Sequence, residues 1–157
     1  MQQQLMQSLS DYLGSLAEEK RIDAINDFRL LLHKHSPFRD HPVDCVLWVK
    51  SNKISPNDYN PNHVAPPEKR LLLKSLEVDG FTQPIVVLED KADHFEIVDG
   101  FHRHELGKGR AHLKNKLKDY LPITCLKNER GGKPDRMAAT IRHNRARGRH
   151  QINAMSE

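Results

Sequence analysis

Cysteine is nearly absent, and the two that occur, Cys45 and Cys125, lie far apart with no second Cys at metal spacing. That excludes a disulfide scaffold and a cysteine-rich zinc module. Long apolar runs are also missing: no stretch approaches the roughly 18 residues that cross a bilayer. The opening Met1-Gln2-Gln3-Gln4 lacks the basic-then-apolar order of a secretory signal, so a cytoplasmic protein is expected. There is no internal repeat and no low-complexity tract. What remains is one domain's worth of chain: 157 residues, 37% hydrophobic and 29% charged, with a mean hydropathy of -0.72. This is a wet composition with enough Leu, Ile and Val for a small core.

The 25 Lys and Arg exceed the 21 Asp and Glu by only 4, but the excess is uneven. From Leu126 to Glu157 there are eight basic residues against three acids, and Lys108, Arg110, Lys114, Lys116 and Lys118 form a second cluster. Such segments suit an anionic partner, a nucleotide or a nucleic-acid backbone, or else form an ordinary solvated face.

The pattern of apolar and turn-forming residues divides the chain into three: an N-terminal helical arm over 1–42, a central domain over 43–134 and a basic helix over 135–157 that ends as if cut from a longer protein. In the arm, Ser15 and Glu18 have capping-box spacing, and Ile22, Ile25, Phe28, Leu31 and Leu32 follow a helical rhythm. The Pro-containing stretch Ser36 to Pro42 stops the helix. In the domain, Cys45–Val49 reads as a strand, and Ile54–Asn62 as a loop too rich in turn formers for regular structure. A helix is expected over Pro67–Val78, with Leu71, Leu72 and Leu76 inward and Gly80 ending it. Strands follow at Ile85–Leu88 and Phe95–Val98 around a polar turn at Glu89–Asp93, then a helix from Gly100 to Gly107 or Gly109 and a strand near Pro122–Leu126. Interleaved strands and helices predict an α/β or α+β fold with a small mixed sheet. Trp48 and Phe95 are expected in its core.

Ile97-Val98-Asp99-Gly100-Phe101-His102-Arg103-His104 is the most informative stretch. A strand runs into a glycine, and a helix begins with an arginine in its first turn. Free N–H groups there attract anions, glycine permits close approach, and arginine adds charge-assisted bonds, a combination suited to phosphates.

Three runs, Ile54-Ser55-Pro56-Asn57-Asp58-Tyr59-Asn60-Pro61, Leu76 to Val87 and Asp99-Gly100-Phe101-His102-Arg103, occur in an order that resembles the ParB/sulfiredoxin-like superfamily. Within it, Asn57 to Asn62 and Ala138 to Gly148 are most similar to the IbrB-type branch, co-activators of prophage gene expression. The resemblance implies a ParB/sulfiredoxin-like fold and a site for ATP, ADP or CTP, with Mg as a companion. It places Gly100, Phe101, His102, Arg103 and His104 around the phosphates, Asp99 near the metal or transferred group, and Thr82 and Gln83 along the pocket.

Three activities live on that fold. Phe101 stands where sulfiredoxins carry their reactive thiol, which argues against that chemistry. The later ParB box is matched by Ile141-Arg142-His143-Asn144-Arg145, which keeps an Asn and basic residues but lacks the Glu. In relatives that phosphorylate free serine, an acid in the first loop is the base. Asp58 occupies that place and Glu68 is a second candidate; Asp58 has the alternative role of capping a turn between Asn57 and Asn60. Arg142, Arg145 and Arg149 recur at helical spacing as a cationic stripe, with Met137, Ala138 and Ile141 opposite, suited to DNA phosphates or a nucleotide. A helix-turn-helix, usual after this region in ParB-like proteins, is not completed before Glu157. The ten histidines lack ligand spacing, so no dedicated metal site is expected, nor are there clustered carboxylates for a two-metal nuclease. The leading reading is a nucleotide-binding, DNA-associated regulator, with a protein partner or homodimer open; the alternative is an ATP- or ADP-dependent small-molecule phosphotransferase.

Overall fold

A computed structural model describes residues 1–57, 65–127 and the helical residues Ala138, Ala139, Arg142 and Arg145. The chain divides into two units, Met1–Trp48 and Val49–Glu157.

In the first unit, α1 (Gln2–Ser15) and α2 (Glu18–His35) are separated by two residues. The capping box does not form. Ser15 is still helical and its hydroxyl donates back to the Tyr12 carbonyl at 2.6 Å, so Ala17 becomes the N-cap of α2 without a side-chain bond. Arg21 does the joining instead, its Nε and Nη2 donating to the carbonyls of Leu13 and Leu16 at 2.9 and 2.8 Å; the Leu13 carbonyl also accepts the capping bond from the Leu16 N–H at 3.3 Å. Tyr12 and Phe28 meet edge to face, centroids 6.4 Å apart. Asn26 brackets the Trp48 backbone, donating to its carbonyl at 2.7 Å and accepting from its N–H at 3.1 Å. Trp48, expected in the core, is only half-buried, and no residue of this unit is fully buried.

The sheet begins with β1 (Leu47–Lys50), two residues later than Cys45, and continues through β2 (Ile54–Ser55), β3 (Ile85–Lys91), β4 (His94–Asp99) and β5 (Tyr120–Cys125), in the spatial order β1-β5-β3-β4-β2. β3 pairs antiparallel with β4 and parallel with β5. The polar turn expected at Glu89–Asp93 shrinks to Ala92–Asp93: Glu89 and Lys91 remain in the ladder opposite Phe95 and His94, and Asp93 takes the left-handed φ of 60° that reverses the chain. The turn-rich loop also contains regular structure. Ile54 and Ser55 pair in parallel with Phe95 and Glu96, Ile54 being 2% exposed and the Ser55 hydroxyl lying 2.9 Å from His94 Nε2.

Helices α3 (Pro66–Asp79), α4 (Phe101–Gly109) and α5 (Ala111–Lys116) accompany the sheet. Pro at the start of α3 and Gly80 at its end, φ 76°, act as their conformational preferences dictate. Its inward residues are Leu72, Leu73 and Leu76, packed with Leu106 of α4, Leu113 of α5 and Phe81; Leu71 is instead 69% exposed. Gly107 lets α4 lie close on β5, since a Cβ there would stand 2.6 Å from Leu121 Cδ2. A second cluster joins Leu88 and Val98 to Ala139. Ala139, not Ala138, is therefore the inward residue of its segment, Ala138 being exposed. Phe95 is buried as expected. No described helix is long and apolar enough to cross a membrane.

Candidate functional site

β4 delivers the chain to the site. Val98 and Ile97 are buried, so the strand is anchored where Asp99 leaves the ladder opposite Val86. Gly100 then takes φ 101°, ψ 23° as the N-cap of α4, and its carbonyl accepts from the His104 N–H at 3.0 Å. Side chains rarely adopt this left-handed geometry, so glycine is required by conformation.

It is required by space as well. A Cβ on Gly100 would lie 2.9 Å from Arg103 Nη2 and 3.3 Å from the Ile85 Cα. The Arg103 guanidinium is folded back over the turn, its Nη1 donating to Gln83 Oε1 at 2.9 Å and its Nη2 to the Pro84 carbonyl at 3.3 Å. Two bonds from the segment entering β3 thus set the plane of a permanently charged fork at the N-terminal turn of α4, an end that already favours anions. Asn57, in the loop after β2, donates through Nδ2 to the Ile97 carbonyl and ties that loop to β4.

The expected site residues separate into groups. Asp99, Gly100, Phe101, His102 and Arg103 share the turn, with Phe101 and His102 edge to face at 5.2 Å, and Gln83 joins them as the anchor of Arg103. Thr82 beside it is exposed. His104 faces away from this group: it is 5% exposed and bonds to the backbone of Ile54 and Ser51. Glu68 is exposed in the first turn of α3; its neighbour Lys69 forms an ion pair with Glu105 of α4. Arg142 and Arg145 are helical and exposed. Asp58, His143, Asn144 and Arg149 lie outside the described residues. Among the described residues no group of His, Cys, Asp and Glu is arranged to hold a metal ion. The Pro84 carbonyl was not among the expected site groups; a backbone acceptor has no residue-type signature.

Burial pushes the His104 imidazole below its ordinary 6.5, and the charge of Lys108 pushes the same way. The folded state therefore prefers the neutral ring, while the unfolded chain takes up a proton near pH 6.5. Stability from this group is intact above that pH and is lost as pH falls toward the lowered folded value. Denaturation from about pH 7.5 to about pH 5.5 should show a loss that His104→Gln reduces. Equal losses in both proteins would assign the acid sensitivity to other groups.

The fold has counterparts. The chain belongs to the ParB N-terminal domain family, which matches residues 39–121. Over all 157 residues it is 64% identical to the "Uncharacterized protein YbdM" of Escherichia coli (strain K12), covering 74% of that protein. A solved structure with a similar fold is the C-terminally truncated chromosome-partitioning protein ParB from Caulobacter crescentus, complexed with CTP-γ-S. The TM-score is 0.50 at 22% identity, over 63% of this chain and 52% of that one. The chain thus spans about half the length of that ParB structure.

Proposed function

We propose that this protein binds a nucleoside triphosphate at the Asp99–Arg103 turn and acts as a DNA-associated regulator of the IbrB-type branch. The observation that carries this reading is the Arg103 guanidinium, held over Gly100 by Gln83 and Pro84 at the start of α4. Placing an arginine before the ligand arrives lowers the ordering cost of binding. The phosphates would lie against the N–H groups of the turn and Arg103, with His102 and Phe101 beside them. Asp99 would stand near an accompanying Mg ion, and Arg142, Asn144 and Arg145 supply further phosphate contacts. Because the related ParB structure holds CTP-γ-S, CTP is the first nucleotide to test.

A thermal-shift panel of CTP, ATP, GTP and ADP, with and without magnesium, identifies the ligand through the stabilisation that binding confers. Arg103→Ala should then weaken binding by about 1.5 to 3 kcal/mol, the range for a hydrogen bond to a charged group, or roughly 10- to 100-fold in Kd by calorimetry. Unchanged affinity would remove Arg103 from the site.

The phosphotransferase reading shares this turn. The Lys69–Glu105 pair favours it to the extent that it brings the first turn of α3, which carries Glu68, to α4. Turnover separates the two: a kinase consumes nucleotide in the presence of an acceptor such as free serine and loses that ability in Glu68→Ala or Asp58→Ala, whereas a regulator binds without transfer.

A further inference from the structure

The largest continuous block of one charge in the described residues is not at the nucleotide turn. From Leu106 to Lys118 there are five basic residues and no acidic one, while the chain's other 20 basic residues are outnumbered by its 21 acids. Lys108, Arg110, Lys114, Lys116 and Lys118 are all exposed. The two flanking acids are engaged elsewhere: Glu105 with Lys69, and Asp119 as acceptor from the Ser51 hydroxyl at 2.6 Å. Among the described residues Lys108, Arg110, Lys114 and Lys116 form no ion pair, so their charge is not cancelled locally.

The segment that carries them is anchored to the core. Leu113, 2% exposed, plugs α5 into the core beside Leu76 and Leu106. The exit from α5 is closed by bonds from the Asp119 N–H to the Lys114 carbonyl at 3.1 Å and from the Lys118 N–H to the Asn115 carbonyl at 3.3 Å. Lys118 and Asp119 hold left-handed φ values of 57° and 67° there.

We propose that residues 108–118, the end of α4 together with α5, form a contact surface for the phosphate backbone of double-stranded DNA, gripped without regard to sequence. The inference rests on the DNA-associated reading above and adds a surface that the Arg142, Arg145 and Arg149 stripe does not include. The side chains present select the partner. No Phe, Tyr or Trp lies between 108 and 118, so there is no platform on which unpaired bases would stack. The apolar residues there are Ala111, Leu113 and Leu117; both leucines are turned at least partly inward, so the segment lacks the apolar face by which a basic helix enters a membrane surface. Cations on a fixed frame match the regular phosphates of a duplex, where each contact releases counterions.

The test is fluorescence anisotropy with two unrelated short DNA duplexes in salt from about 50 to 200 mM. Arg110→Gln/Lys114→Gln/Lys116→Gln should bind both duplexes equally less well. Its plot of log K against log salt should be shallower by about 2 to 3, since each phosphate contact contributes about 0.9, while its melting temperature and nucleotide-induced thermal shift stay those of the parent. An unchanged slope in a folded variant overturns the surface and leaves the DNA reading standing. Absence of duplex binding by the parent protein overturns both. Preference for polyglutamate competition over DNA, for single strands, or for anionic vesicles also overturns it.

Discussion

Leu106→Ala is expected to cost about 2 to 5 kcal/mol of stability, the range for removing a buried leucine where the surroundings collapse only partly. Leu106 is 1% exposed and sits among Leu72, Leu73, Leu76, Phe81, Leu113 and Leu117, so its side chain joins α3, α4 and α5. The close packing of Gly107 on Leu121 leaves little freedom for α4 to sink into the resulting space. Chemical denaturation would measure the loss. The proposed nucleotide site is built on the first turn of this helix, so under that proposal nucleotide-induced stabilisation should fall with it. A loss below about 1 kcal/mol would mean that neighbouring leucines refill the cavity.

The second large effect is at the turn. Gly100→Ala places a Cβ on a residue at φ 101°, 3.3 Å from the backbone of Ile85 and 2.9 Å from Arg103 Nη2. A non-glycine residue in such a region costs about 1 to 3 kcal/mol. The arginine end can yield because it is the tip of a long side chain, but moving it breaks its bonds to Gln83 and Pro84. The β3 backbone beneath Ile85 cannot yield as readily. Stability and nucleotide affinity should therefore both fall, and calorimetry at a temperature where the variant is still folded separates them. Wild-type affinity in a destabilised Gly100→Ala protein would show that the position of Arg103 does not matter to the ligand.

The long elements were readable because their causes are local. Helical rhythm and punctuation marked α2 and α3, the latter entered at proline and left at glycine, and compact apolar runs marked β3 and β4. α5 escaped because six residues contain less than two turns, too short for an amphipathic period, and its lysines read as a charge run. Three consecutive leucines, Leu71 to Leu73, fit an inner face in more than one rotation, and only packing chose Leu72 and Leu73. β2 was hidden among turn-forming residues, since its two residues are strand only through parallel pairing with a segment some 40 positions later.

Within the site, glycine and arginine in the turn were legible from the chemistry of helix starts. The partner of Arg103 was not: Gln83 lies 20 residues earlier, and no rule of spacing joins them. His104 shows the same limit in reverse, grouped with the phosphate turn by adjacency in sequence but taken by the helix toward Ser51 and Ile54.

Composition and order of residues alone were enough to indicate an α/β or α+β domain with a small mixed sheet and a glycine–arginine turn where a strand becomes a helix, because backbone conformational preference and short-range periodicity act within a few residues. Which face of that helix meets the core and where its arginine is anchored emerged only from tertiary packing. Those outcomes depend on groups that the chain carries far apart and that only the assembled sheet brings within bonding distance.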